Sequence, residues 1–235
     1  MSVWTVLDRA TTVAGDEILL RQRGTLFEIR YNGIELMSNL NHHSEAVLAE
    51  RSLRLMQYSP GEVLIGGLGL GFTLRAALDL LRPEARVTVC ELIPAIVSWN
   101  HGPLAGLSGH ALGDPRVNTQ LCDVSELLED NPGRYDLILL DTDNGPDNLV
   151  RDDNGRIYGD PGLERARRAL APGGLVAFWS AEVSEGFEAR LTAGQWHWRR
   201  EDIALVPGRV DAMHHIYFAS AGPIAATAAP QKLAA

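Results

Sequence analysis

The apolar run Val63-Leu64-Ile65 feeds a glycine-rich turn, Gly66-Gly67-Leu68-Gly69-Leu70-Gly71, and a helix-like pattern starts directly at Phe72-Thr73-Leu74-Arg75. Gly67, Gly69 and Gly71 fall at every second position. A dinucleotide fingerprint places its third glycine differently, as G-x-G-x-x-G. Counted from Gly67 that glycine would be Phe72, and from Gly69 it would be Leu74, so the NAD pattern fails in both registers. The G-x-G-x-G spacing suits a backbone that passes close under a ribose, where a side chain would obstruct. Glycine-rich turns also serve as plain strand-to-helix corners, and the loop alone leaves both readings open.

Three downstream acids weigh on that choice. Arg86 to Glu91 reads as a second short strand ending in an acid about twenty residues past the glycines, where a carboxylate can accept hydrogen bonds from ribose hydroxyls. A third strand, Val117 to Leu121, runs into Cys122-Asp123-Val124, which puts Asp123 within reach of an adenine amino group. A fourth, Tyr135 to Leu140, runs into Asp141-Thr142-Asp143-Asn144-Gly145-Pro146. One strand-end acid is usually a helix N-cap. Three in phase, at the sheet edge where open α/β folds bind ligands, point to a nucleoside site. The glycine spacing resembles the nucleoside loop of class I S-adenosylmethionine enzymes.

Alternation of strands (63–67, 86–91, 116–121, 135–141, 174–180, 196–204, 213–219) with helices (near 72–82, 93–100, 124–130, 160–171, 183–193) predicts a doubly wound α/β fold with a mostly parallel seven-stranded sheet. No helix pattern separates the last two strands, so they should pair antiparallel. Pro172-Gly173-Gly174 should separate the fourth of these helices from its strand. Ahead of this lies a small N-terminal β-unit: short runs at Glu17–Gln22 and Thr25–Tyr31, with Asn32-Gly33 as a hairpin signal. A helix over 43–57 follows, with Ser44 as its expected N-cap. The expected organisation is residues 1–61 as N-terminal unit and linking helix, 62–221 as catalytic domain and 222–235 as a mobile tail.

Composition narrows the partners. The formal charge is −9, from 21 basic and 30 acidic residues, which argues against nucleic acid and for a cationic partner. No apolar stretch approaches a membrane span and no leader layout is evident, so a cytoplasmic setting is expected. Cys90 and Cys122 show no metal or redox spacing and read as reduced core cysteines. His42-His43 and His214-His215 alternate faces on extended backbone and read as core or surface residues, with no metal expected. Trp179, Trp196 and Trp198 are expected in packing, and Glu164 to Arg168 on an exposed helix face.

From about residue 17 to 220 the chain resembles the spermidine synthase (polyamine aminopropyltransferase) family. The resemblance rests on Asn32 to Met37, on Val63 to Arg75 and on Glu91-Leu92-Ile93-Pro94. It continues through Asp114-Pro115-Arg116-Val117 with Asp123, Asp141 to Pro146, Ile157-Tyr158, and Tyr217-Phe218-Ala219-Ser220. It implies a class I S-adenosylmethionine-methyltransferase-type fold and transfer of an aminopropyl group from decarboxylated S-adenosylmethionine to a small amine, without a metal and in a homodimer. Gly67, Gly69 and Gly71 would then cradle the nucleoside, Glu91 hold the ribose, and Asp123 with Val124 frame the adenine. Asp141 matches the family's base and Asp143 its second amine-binding carboxylate, while Glu45 and Tyr158 would edge the substrate site. The bland alternative for Asp141 and Asp143 is ordinary turn chemistry, since Asp-Asn-Gly-Pro is a turn sequence.

Departures from the pattern bear on the donor. Leu70 stands where the family carries an Asp that engages the amino group of the aminopropyl arm, and Ala76 and Ile93 replace a Glu and an Asp. Asp141 and Asp143 lie two apart where the family has three, and His42-His43-Ser44-Glu45 stands where it has a tyrosine. Losing an Asp at position 70 weakens attraction for a bare ammonium and makes the intact cofactor's carboxylate more tolerable. Two alternatives follow: an S-adenosylmethionine-dependent methyltransferase acting on a small molecule, and a non-catalytic nucleoside-binding homologue. Asp152 or Asp153 would be candidates to compensate for Leu70.

Overall fold

A computed structural model of the chain describes residues 3–142, 144–147, 155–205 and 212–224. Two sheets carry the architecture. The first is antiparallel, in the order β1-β2-β3-β4, from β1 (Thr5–Thr11), β2 (Glu17–Arg23), β3 (Leu26–Tyr31) and β4 (Ile34–Ser38). Asn32 and Gly33 both take positive φ, 47° and 80°, so β3 and β4 meet through the two-residue turn that their sequence favours. β1 was not expected from the sequence. It is almost wholly exposed, lacks alternation, and is held by pairing to β2 and by Trp99 Nε1 donating to Asp8 Oδ2 at 2.7 Å.

The second sheet has seven strands in the order β10-β11-β9-β8-β5-β6-β7. They are β5 (Glu62–Gly66), β6 (Arg86–Glu91), β7 (Val117–Leu121), β8 (Tyr135–Leu140), β9 (Leu170–Ser180), β10 (His197–Ala204) and β11 (Met213–Ser220). β5 to β9 pair in parallel, and β11 runs antiparallel between β9 and β10. Pro172-Gly173-Gly174 does not precede the strand as expected. It lies inside β9, where Leu170 pairs with Tyr135 before a register shift and Leu175 with Leu137 after it.

Period-two burial explains why these segments are strands. Val63 and Ile65, Leu137 and Leu139, Ala177 and Trp179, and Ile216 and Phe218 pack on one face. Leu64, Ile138 and Leu140, Val176 and Phe178, and Tyr217 and Ala219 pack on the other. Both faces are apolar because helices cover both. The first is covered by α1 (His43–Leu55), α2 (Phe72–Leu80) and α3 (Pro94–His101), through residues such as Leu48, Leu74 and Trp99. The second is covered by α4 (Val124–Asp130), α5 (Gly155–Tyr158), α6 (Asp160–Ala169) and α7 (Glu185–Ala193). β5 is the strand at which the order reverses, with β6 and β7 on one side and β8 on the other. Its carboxyl end is therefore the position where such sheets open a crevice.

Ser44 does not cap α1. The helix starts one residue before it, at His43, with His42 at its N-cap and no side-chain capping bond; Ser44 lies inside the first turn, where its hydroxyl meets Glu45 and His214. Trp99 is the buried link between α3 and β1. Trp99→Phe should destabilise the chain by about 1–3 kcal/mol through the lost hydrogen bond and the vacated volume. Urea unfolding measures this, and an unchanged midpoint would mean that β1 is held by its strand pairing alone.

Candidate active site

A cavity of about 360 Å³ opens at the carboxyl ends of β5, β6, β7 and β8. Its floor is the turn after β5. Gly67, Gly69 and Gly71 all have positive φ (88°, 52° and 83°). A Cβ on Gly67 would lie 2.1 Å from the Asp141 carbonyl oxygen, and one on Gly69 would lie 3.0 Å from Met37 Sδ. The loop thus threads between the end of β8 and β4 of the N-terminal sheet. Gly67 and Gly69 line the cavity; Gly71 stands behind them as the N-cap of α2, packed towards Ser108 and Asn100.

Glu91, at the end of β6, is 6% exposed and both its oxygens meet backbone. Oε2 accepts from Leu68 N–H and Oε1 from Ile93 N–H, each at 2.9 Å. Burial pushes its carboxyl up against the pull of these bonds. It therefore pins the glycine loop to the β6–α3 turn as well as lining the cavity. Asp123 and Val124 line the cavity after β7, and Asp123 Oδ1 also accepts from Ser125 N–H as the N-cap of α4.

Cys90 and Cys122, thirty-two positions apart in sequence, approach to 2.9 Å between their sulfurs and both line the cavity. Parallel pairing of β6 and β7 creates this contact, which no sequence spacing announces. Burial pushes both thiols up, so they are neutral.

Asp141 ends β8, half-buried, with Oδ2 accepting from Thr73 Oγ1 at 2.8 Å. Its carboxyl is pushed up to about 7 by burial and then by the charge of Glu45, against the Thr73 bond. Glu45, from the first turn of α1, is itself raised by burial, opposed by the Ser44 hydroxyl. Both carboxylates line the same cavity. Two half-buried acids facing one cavity, with the charge of Glu45 raising Asp141, create a place where a bound cation is favoured. Asp143, Asp152 and Asp153 lie outside the described residues.

Tyr158 is not at the cavity. It is 2% exposed, with its ring edge-on to Phe187 and beside Phe178, while its neighbour Ile157 lines the cavity. One residue of helix is a turn of about 100°, which separates the two faces of α5. His214, expected in the core or at the surface, and Trp179, expected in packing, both line the cavity, with ring centroids 4.6 Å apart. The available signal was position: His214 shares the face of β11 with Ile216 and Phe218. Among the described residues no cluster of three His, Cys, Asp or Glu side chains is set to hold a metal, and no helix is long and apolar enough to cross a membrane.

No protein-family model matches the chain. It is 28% identical over 166 residues to the polyamine aminopropyltransferase of Leptospira biflexa, covering 66% of this chain and 54% of that protein. It is 34% identical over 119 residues to the polyamine aminopropyltransferase of Mycobacterium tuberculosis, covering 48% of this chain and 21% of the other. The chain thus spans about half the length of the first of these relatives and less of the second. Among solved structures, a spermidine synthase in complex with the transition-state analogue AdoDATO superposes with a TM-score of 0.76 at 18% identity, covering 92% of this chain and 74% of that one. The spermidine synthase of Thermotoga maritima gives 0.73 at 17% identity, covering 92% and 72%. The chain is related in sequence to polyamine aminopropyltransferases and has the fold of spermidine synthases.

Proposed function

We propose that the chain is a spermidine-synthase-like transferase that moves an aminopropyl group from decarboxylated S-adenosylmethionine to a small amine. The observation that carries the reading is the union, in one cavity, of a nucleoside-type wall (the glycine loop, Glu91, Asp123) with the half-buried acids Asp141 and Glu45. In this reading the donor's nucleoside lies along Gly67, Gly69, Glu91, Asp123 and Val124, and its sulfonium is the leaving group. The acceptor arrives as an ammonium and cannot attack until a proton is removed. Asp141, the match to the family's base, and Asp143 hold the ammonium and set its line of approach, with Glu45 lending a further negative charge. Attack forms the C–N bond, breaks the C–S bond and releases methylthioadenosine. A cytoplasmic homodimer without a metal completes the proposal.

Leu70 favours a second reading. It is 5% exposed and lines the cavity, so this wall has no carboxylate where the family's donor amine is met. Calorimetric binding of decarboxylated against intact S-adenosylmethionine, with methylthioadenosine as control, decides between the two. The expected result is preference for the decarboxylated form and release of methylthioadenosine when 1,4-diaminobutane is added. Preference for the intact form, with methyl transfer, would move the reading to a methyltransferase. Binding of the control without any turnover would indicate a silent homologue. Leu70→Asp should raise the preference for the decarboxylated donor by roughly tenfold.

A further inference from the structure

The buried start of α1 and the closing strand β11 are joined by three side chains that the sequence reading left unconnected. Ser44 is 3% exposed; its Oγ donates to Glu45 Oε2 at 2.7 Å and lies 2.8 Å from His214 Nδ1. A hydroxyl has one proton to give. With Glu45 ionised that proton points at the carboxylate, so His214 Nδ1 must carry the hydrogen and donate to Ser44 Oγ. The ring is then the tautomer with a bare Nε2, an acceptor nitrogen on a side chain that lines the cavity.

The opposite arrangement is also self-consistent. If Glu45 is protonated, it donates to Ser44, Ser44 donates to Nδ1, and Nε2 becomes the protonated nitrogen. The chain therefore has two complete hydrogen-bonded states that differ by one proton on Glu45 and by the direction of every bond between.

We infer that His214, Ser44 and Glu45 form a proton relay that takes one proton from the acceptor amine and delivers it to Glu45. His214 is the residue that touches the acceptor; Ser44 acts through it, and Glu45 is the terminus. An ammonium R–NH₃⁺ places one N–H on Nε2 while Asp141 receives another. As the proton passes to Nε2, the Nδ1 proton passes to Ser44 Oγ and the Ser44 proton to Glu45. The neutral amine then attacks the carbon beside the sulfonium and the C–S electron pair leaves on sulfur. One proton leaves the ammonium and one arrives at Glu45, and no redox partner is involved. This inference rests on the aminopropyl-transfer reading only for the identity of the donor.

The surroundings suit a relay better than a resting imidazolium. Burial, and then the neighbouring charge of His215, hold His214 down to about 4, so the ring does not retain the proton. Burial pushes Glu45 up, so the terminus can. The charged and titratable groups facing this chain are His42 and His43 beside Glu45, Asp141 beyond β8, and His215 with Asp202 of β10; β9 contributes Trp179. Two turns along α1, Arg51 pairs with Glu201 of β10.

The test combines nitrogen NMR with kinetics on the full chain. With ¹⁵N-histidine, free protein at pH 7 should show His214 protonated at Nδ1 and bare at Nε2. Adding 1,4-diaminobutane to protein saturated with methylthioadenosine should shift the Nε2 resonance. Ser44→Ala should free the tautomer and lower kcat by roughly 10- to 100-fold with little change in the KM of the donor, the low end of general-base effects. His214→Gln should lower kcat at least as much.

A protonated Nε2 in the free protein, no Nε2 shift on adding the amine, or an unchanged kcat in Ser44→Ala would each overturn the relay. Failure of the aminopropyl reading shows separately, as wild-type protein that releases no methylthioadenosine; the two NMR observations then decide the relay by themselves.

Discussion

Asp141→Asn should abolish most turnover, by about 100- to 10,000-fold, while leaving methylthioadenosine binding within a few-fold of wild type. The asparagine can still receive the Thr73 hydroxyl but carries no charge to hold an ammonium. The same substitution should change stability in the opposite direction. In the native chain the Asp141 carboxyl is pushed up to about 7, whereas in the unfolded chain it titrates near 4, as ordinary aspartates do. Between those values the native state holds a proton that the unfolded state has released. Stability from this group is complete below about pH 4 and is lost as pH rises through about 7. Asp141→Asn removes the slope, so above pH 7 the variant should be the more stable, on the order of 1–2 kcal/mol after allowance for screening. Urea unfolding at pH 5 and pH 8 checks this. If wild type and variant ran parallel, Asp141 would not be buried against Glu45. If the variant kept full turnover, the cation site would lie elsewhere.

Gly67→Ala carries the largest structural penalty expected at the site. The new Cβ would sit 2.1 Å from the Asp141 carbonyl oxygen, on a backbone at φ +88° that side chains rarely adopt. Strain and overlap together should cost about 3–5 kcal/mol. Gly133→Ala is the matching control, since Gly133 also has positive φ (+66°) but has nothing within 4 Å of an added Cβ. It should cost only about 1–2 kcal/mol of backbone strain. Equal losses in the two variants would mean that the approach of the loop to Asp141 contributes nothing. The proposed roles predict in addition that whatever folded Gly67→Ala remains binds methylthioadenosine poorly and turns over slowly, because one displacement moves both loops.

The main sheet was legible because its strands are covered on both faces, and runs such as Val63-Leu64-Ile65 and Leu137 to Leu140 state that without ambiguity. The glycine turn and the strand-end acids were legible for the same reason: they stand where those runs stop. β1 was not, since Thr5–Thr11 buries little and is defined by its partner strand and by a bond from Trp99, ninety-one positions away. Ser44 looked like a cap because sequence spacing leaves a helix start uncertain by a residue or two, and the contact of its hydroxyl with a histidine 170 positions distant has no local signal. The Cys90–Cys122 contact depends on the β6–β7 register, which a linear reading does not contain. Tyr158, expected at the substrate site, packs away from the cavity that its neighbour Ile157 lines, a difference of one residue's rotation that a linear reading does not contain. Glu91 was assigned to a ligand, whereas its two oxygens also serve the backbone of the loop that the ligand would touch.

The placement of β11 between β9 and β10 has a consequence for the order in which the molecule is assembled during synthesis. The glycine loop, Glu91, Asp123 and Asp141 all emerge well before residue 213, and β5 to β9 can pair as they appear. Among the described residues β10 pairs with β11 alone, so it waits for that strand to arrive. A ribosome-bound chain that stops short of β11 would therefore present the glycine-loop wall with β9 unpaired on its outer side and with the His214 wall missing. Under the proposed function, occupancy by a nucleoside and competence towards an amine would be separate events in time, the second waiting for the last strand to slot into the sheet.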